Sequence, residues 1–169
     1  MLAKIDLGVV DPLDSRMFQV SYANIMQDQV CVVTGPNTFK YLKISDSYRA
    51  FKEIHTQLRP HGHEEVSTDY SCHCWAKDRV QLVVATVEGD ILVCAMSGEF
   101  LIYVPQSPHR HRIDSCVAYS KGIFFGGQDG TIWHFVASEN ENVIYQAAPT
   151  IQSRDRNNPN EFTIQPANV

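Results

Sequence analysis

The sequence predicts an all-β chain in which four short antiparallel strands recur as a unit, and three observations predict it. Ser71-Cys72-His73-Cys74-Trp75-Ala76-Lys77 and Ser115-Cys116-Val117-Ala118-Tyr119-Ser120-Lys121 carry matching residue types position by position, 44 residues apart. Each is followed by an apolar run and an acidic-Gly turn, Glu88-Gly89 and Asp129-Gly130, and these turns are 41 apart, so the loop between first and second strands is three residues shorter in the later copy. The second strands, Leu82-Val83-Val84-Ala85 and Ile123-Phe124-Phe125, are apolar at consecutive positions. A sheet with one wet face alternates with period two, so these strands are expected to be buried on both faces. Sheets sandwiched between sheets and repeating every ~40–45 residues are β-propeller blades. Closed propellers have about 4–8 blades. A chain of about three is therefore expected to be a partial propeller, completed by further blades of a longer chain or of a neighbouring chain.

The first unit, residues 17–69, is the faintest. Its strands fall at residues 18–23, 29–34 and Thr38–Ile44, with Tyr22 in the place of Trp75 and Asn37 in the place of Gly89. Residues 45–68 are read as a fourth strand near 50–54 plus a long loop, a short helix over 47–58 being the alternative; long loops in compact domains are usually functional or disordered. The second unit, residues 70–108, has strands at Tyr70–Ala76, Gln81–Thr86, 90–95 and 99–104, closed off by Pro105 and Pro108. Glu88-Gly89 and Ser97-Gly98 supply the φ > 0 residue that its hairpins need. The third unit, residues 113–148, places strands at 114–120, 123–127, 131–136 and 142–147, with Asp129-Gly130 the strongest hairpin turn in the chain. Residues 152–161 have no apolar face to bury and read as a loop. Phe162–Gln165 alternates as a strand does and would open a further blade at about 162–169.

A net charge of -5 and a pI near 5.7, without a Lys/Arg block, lack the footprint of a protein that tracks phosphates, so nucleic acid is not expected as a partner. The sequence has no run of about 18 apolar residues and carries Lys4 and Asp6 within residues 1–10, so neither a membrane span nor a signal peptide is expected. The five cysteines, Cys31, Cys72, Cys74, Cys94 and Cys116, are odd in number and sit in predicted strands. That is the pattern of small buried hydrophobes in a reducing compartment rather than a disulfide framework.

The turn pattern resembles WD repeats: Asp129-Gly130-Thr131-Ile132 is followed by Phe135-Val136 where Trp-Asp would lie, and Glu88-Gly89-Asp90-Ile91 by Cys94-Ala95. No Trp-Asp dipeptide is present, which leaves the buried Asp/His/Ser network typical of such blades unassured. Three longer strings are similar to the propeller region of the ciliary WD-repeat family of cilia- and flagella-associated protein 57. They are Tyr70-Ser71-Cys72-His73-Cys74-Trp75 with Val83-Val84-Ala85-Thr86-Val87-Glu88-Gly89-Asp90-Ile91-Leu92; Val117-Ala118-Tyr119-Ser120-Lys121-Gly122 through Gly126-Gly127-Gln128-Asp129-Gly130-Thr131-Ile132-Trp133; and Val32-Val33-Thr34-Gly35-Pro36-Asn37-Thr38-Phe39-Lys40-Tyr41-Leu42-Lys43-Ile44. This resemblance implies a non-enzymatic scaffold of the ciliary or flagellar axoneme, on the cytoplasmic side. It implies help in assembling or regulating inner dynein arms on doublet microtubules, and as partners inner-arm or tether components, other ciliary WD proteins and tubulin. Sister ciliary WD proteins share the architecture. A general cytosolic WD adaptor and an independent β-sandwich are the competing readings.

No catalytic, cofactor or metal residue is assigned. Cys72-His73-Cys74 invites zinc, but on a strand Cys72 and Cys74 share a face that His73 does not, and the usual Cys spacing is absent. His61-Gly62-His63 and His109-Arg110-His111 are loop pairs for which solvated histidines are expected over a metal or acid-sensing cluster. Ser115, Ser120, His73, His134 and Asp114 form no recognisable triad: a Gly-x-Ser-x-Gly elbow is lacking, and Gly126-Gly127 is not followed by the Lys of a phosphate loop. Trp75, Tyr119 and Tyr22 are expected at equivalent places as core residues between blades, each burying roughly 150–250 Å², with Trp133, Phe135 and Tyr145 read the same way. Contact segments are expected at residues 45–68, 105–112 and 138–142, on length, polarity and charge.

Overall fold

The computed structural model describes residues 18–25, 28–44, 50–55, 58, 66–76, 81–104, 111–138, 145–153 and 162–165. Every regular element among them is a β-strand. The first sheet is β1 (Gln19–Ile25), β2 (Asp28–Gly35), β3 (Thr38–Ile44) and β4 (Phe51–His55), antiparallel in chain order. The second is β5 (Tyr70–Ala76), β6 (Gln81–Thr86), β7 (Ile91–Ala95) and β8 (Phe100–Val104). The third is β9 (Ile113–Tyr119), β10 (Gly122–Gly127), β11 (Thr131–Ala137) and β12 (Tyr145–Ser153). β4 takes the stretch for which a helix was the alternative.

The turns follow from the residues that permit them. Asn37, Gly89, Gly98 and Gly130 adopt φ of 50°, 90°, 84° and 81°, the left-handed region that glycine, and after it asparagine, enters at least cost. After Thr86, the Gly89 turn closes through Thr86 N–H to Asp90 O at 2.9 Å and Gly89 N–H to Thr86 O at 3.1 Å. Phe162–Gln165, expected to open a further blade, is β13 and pairs antiparallel with β12, Ile151 opposite Ile164, as a fifth strand of the third sheet. A nine-residue β12 offers an outer edge of unpaired backbone groups, and β13 satisfies part of it.

The sheets stack face on face. Ala23, Val30, Val32, Phe39 and Tyr41 of the first meet Leu82, Val84, Leu92 and Cys94 of the second, with Trp75 packed against them. The other face of the second sheet, with Cys72, Ala76, Val83, Ala85, Ile91 and Val93, meets Ile123, Phe125, Phe135 and Tyr145 of the third. Leu82, Val83, Val84 and Ala85 are each 0% exposed, so β6 is buried on both faces as its unbroken apolar run requires. β5 lies beside β1 on one side and β9 on the other, so the first strands of the three sheets gather on one axis, as inner strands of adjacent blades do.

One register expectation is corrected. Trp75 pairs with Leu82, and the pair at that position in the third sheet is Ala118 with Ile123, because Leu82 and Ile123 both face the preceding sheet. Tyr119, opposite Gly122, corresponds instead to Ala76, opposite Gln81. The side-chain period of a strand is two, so this one-residue offset sends Tyr119 to the opposite face. Trp75 lies in the seam with the first sheet, whereas Tyr119 points away from the second and is 37% exposed. Tyr22, opposite Cys31, lies on the outer face of the first sheet and is 55% exposed. Trp133, Phe135 and Tyr145 do join the seam between the second and third sheets.

Candidate interaction surfaces

A buried polar clasp joins the first two sheets. His73 projects from β5 toward the first sheet, 1% exposed, its Nε2 at 2.6 Å from Ser21 Oγ and its Nδ1 at 2.7 Å from Thr34 Oγ1. The Gln19 side chain spans the backbone of the same residue: Nε2 donates to His73 O at 3.0 Å, and Oε1 accepts from His73 N–H at 2.7 Å. Trp75 Nε1 donates to Ser21 Oγ at 3.1 Å, and the Tyr41 hydroxyl donates to Met96 O across the same seam. Burial pushes the His73 imidazole down to about 4, so it is neutral here, one nitrogen donating and the other accepting. Cys72 and Cys74 lie on the other face, as strand alternation demands.

A second polar set stiffens the β6–β7 turn. Asp90, 1% exposed, accepts from Tyr103 Oη at 3.0 Å and from Thr86 Oγ1 at 3.3 Å, while its own N–H donates to Thr86 Oγ1 at 2.9 Å. Asp90→Ala strips both hydroxyls of that acceptor and is expected to cost about 1–3 kcal/mol, read as a lower midpoint in urea unfolding with an unchanged slope.

Where the first residues of the inner strands converge, a cavity of about 360 Å³ opens between Phe18 and Gln19, Tyr70 to Cys72, and Arg112 to Cys116. The Arg112 guanidinium donates to Asp114 Oδ1 at 2.6 Å on its wall. Neighbouring His111 stacks on Trp133 at 6.3 Å and lies 3.9 Å from Asp129 Oδ2. His61, His63 and His109 lie outside the described residues, as do most of the contact segments expected at 45–68, 105–112 and 138–142. The residues weighed for a triad are apart: Asp114 and Ser115 line the cavity, His73 sits in the clasp, and His134 pairs with the Tyr119 hydroxyl at 2.6 Å on the outer face of the third sheet. Among the described residues, no group of three or more His, Cys, Asp or Glu side chains is arranged to hold a metal ion.

Both outermost faces expose apolar side chains. On the third sheet, Val117 is 61% and Ile132 36% exposed beside a stack of Tyr119, Phe124 and His134, ring centroids 5.2 and 4.4 Å apart in turn. On the first, Val20 is 62% exposed beside a smaller core of Cys31, Val33 and Leu42. The outer face of the third sheet is the counterpart of the face by which the second sheet packs on the third.

Solved structures match this arrangement. The C-terminal WD40 domain of Sif2 superposes with a TM-score of 0.57 at 14% identity, covering 74% of this chain and 34% of that one. The Myceliophteria thermophila Cps50 (Swd1) β-propeller domain gives 0.56 at 10% identity, covering 73% and 41%. The fold is a partial WD40 β-propeller. The three blades span about a third to two-fifths of the propeller chains they match. No family model and no curated protein matches the chain in sequence. The polar clasp is the feature that sequence reading missed: its signal was the alternation that separates His73 from its flanking cysteines, but its partners Ser21 and Thr34 lie 52 and 39 residues away.

Proposed function

We propose that the chain is a non-enzymatic interaction scaffold: three consecutive blades of a larger WD40-type ring whose rims dock other proteins. The observation that carries this is the outer face of the third blade, apolar and solvent-exposed at the positions that the second blade buries against its neighbour. Faces of this kind are covered in a closed ring. The resemblance of the quoted strings to ciliary WD-repeat proteins supports placing the scaffold in the axoneme, in assembly or regulation of inner dynein arms on doublet microtubules.

Two measurements test this. Val117→Asp is expected to change the stability of the 169-residue chain by less than about 0.5 kcal/mol. In a longer chain carrying the following blade it should cost several-fold more, because the carboxylate would then be buried unpaired; equal losses in both lengths would count against the ring. For the cellular assignment, the protein is expected to stay with doublets after detergent extraction of cilia. Its release into the detergent fraction would instead favour a general cytosolic adaptor.

A further inference from the structure

The seam between the second and third blades holds three of the five cysteines. Cys72 and Cys74 lie on the face of β5 that looks toward β9, and Cys116 on β9 packs into the same core cluster. The neighbouring Cys72 and Cys74 thiols, together with burial, push the Cys116 thiol up. Cys72 and Cys116 are also both among the residues that line the 360 Å³ cavity, which brings a small solute to this end of the seam. The Ser71 hydroxyl donates to Ala85 O at 3.2 Å and lies 3.9 Å from Cys72 Sγ. The other two cysteines lie elsewhere: Cys94 in the core between the first two blades, pushed up to about 12 by burial, and Cys31 under the outer face of the first.

We propose that Cys72 and Cys116 form a peroxide-sensitive dithiol whose oxidation to a disulfide staples the inner strands of the second and third blades. The Cys72 thiolate attacks one oxygen of hydrogen peroxide, the O–O bond breaks, and water leaves once the departing hydroxide is protonated. Cys116 then attacks the resulting sulfenic sulfur, the S–S bond forms, and a second water leaves with the Cys116 proton. Two thiols thus give two electrons and two protons, and one peroxide becomes two waters. The bridge closes a loop of 44 residues across an otherwise apolar seam, a constraint on the unfolded chain that raises stability. It requires no change in strand pairing, because the two sulfurs already share one packed cluster.

The test is peroxide treatment of the folded 169-residue chain at doses that leave its circular dichroism unchanged, then alkylation of remaining thiols, tryptic digestion without reductant and fragment-ion mass spectrometry. The expected result is two of five thiols lost, peptide 53–77 joined to peptide 113–121 through Cys72 and Cys116, and Cys31, Cys74 and Cys94 alkylated. Cys74→Ser should keep the bridge, and Cys116→Ser should abolish it. The bridged protein should unfold several degrees higher, a gain that dithiothreitol reverses. Five alkylated thiols, a bridge through Cys74, or sulfinic acid at Cys116 without a bridge would each overturn the proposal, and these readings on the unsubstituted protein stand even if a variant fails to fold.

Discussion

Phe125→Ala is expected to destabilise the chain by about 3–5 kcal/mol, whereas Phe124→Ala, one residue earlier, should cost far less. The two side chains have the same chemistry and point to opposite faces of β10. Phe125 is 1% exposed in the seam between the second and third blades, its ring edge-on to Phe135 at 5.7 Å. Its removal deletes the transfer free energy of an aromatic ring and leaves a cavity between strands whose backbones are pinned by pairing on both sides, which limits collapse. Phe124 lies on the outer face, stacked between Tyr119 and His134 with no further sheet over it among the described residues. Chemical denaturation of both variants, compared by midpoint at constant slope, reads the difference. In a chain that carries the next blade the asymmetry should shrink as Phe124 becomes buried. Equal costs in the 169-residue chain would mean that the two faces of β10 are not differently covered.

That asymmetry was only half legible in the sequence. The unbroken apolar run of β6 disclosed two buried faces, whereas the like run of β10 is covered on the Phe125 face alone among the described residues; the acidic-Gly turns marked where hairpins close, and Gly89, Gly98 and Gly130 all take the positive φ anticipated for them. Asn37 does too, so a unit lacking the glycine was still readable by its place. Which face a given aromatic occupies was less accessible. Matching Trp75 to Tyr119 by residue type ignored that the β9–β10 hairpin closes through Ser120-Lys121 alone, and a slip of one residue reverses sidedness. The clasp around His73 escaped for a different reason. Its partners arrive from another blade, and no local periodicity encodes a contact made across 39 or 52 residues. The missing Trp-Asp pair hid a related device: Trp75, His73, Ser21 and Thr34 supply tryptophan, histidine and hydroxyls between two blades.

Acidification from pH 7 to pH 4 is expected to remove roughly 3 kcal/mol of stability through His73 alone. Burial holds its imidazole down to about 4, against an ordinary value of 6.5 in the unfolded chain. Between those values the unfolded state binds a proton that the folded state refuses, so stability rises with pH across the window. The contribution is fully present above about 6.5, is lost progressively as pH falls toward about 4, and changes no further below. The neutral ring is held by the Ser21 and Thr34 hydroxyls and its backbone by the Gln19 amide, none of them charged, so none of these partners would compensate an imidazolium. Other groups titrate in the same range, and the decisive comparison is therefore with His73→Gln, which keeps a donor and an acceptor but no proton equilibrium. The variant should be less stable at pH 7, since one amide cannot reach both hydroxyls in the same geometry, yet its urea midpoint should fall less steeply between pH 6.5 and pH 4. Parallel pH profiles for the two proteins would show that the clasp opens to water before the blades separate, and that the seam around Ser21 and Thr34 is not the dry junction described above.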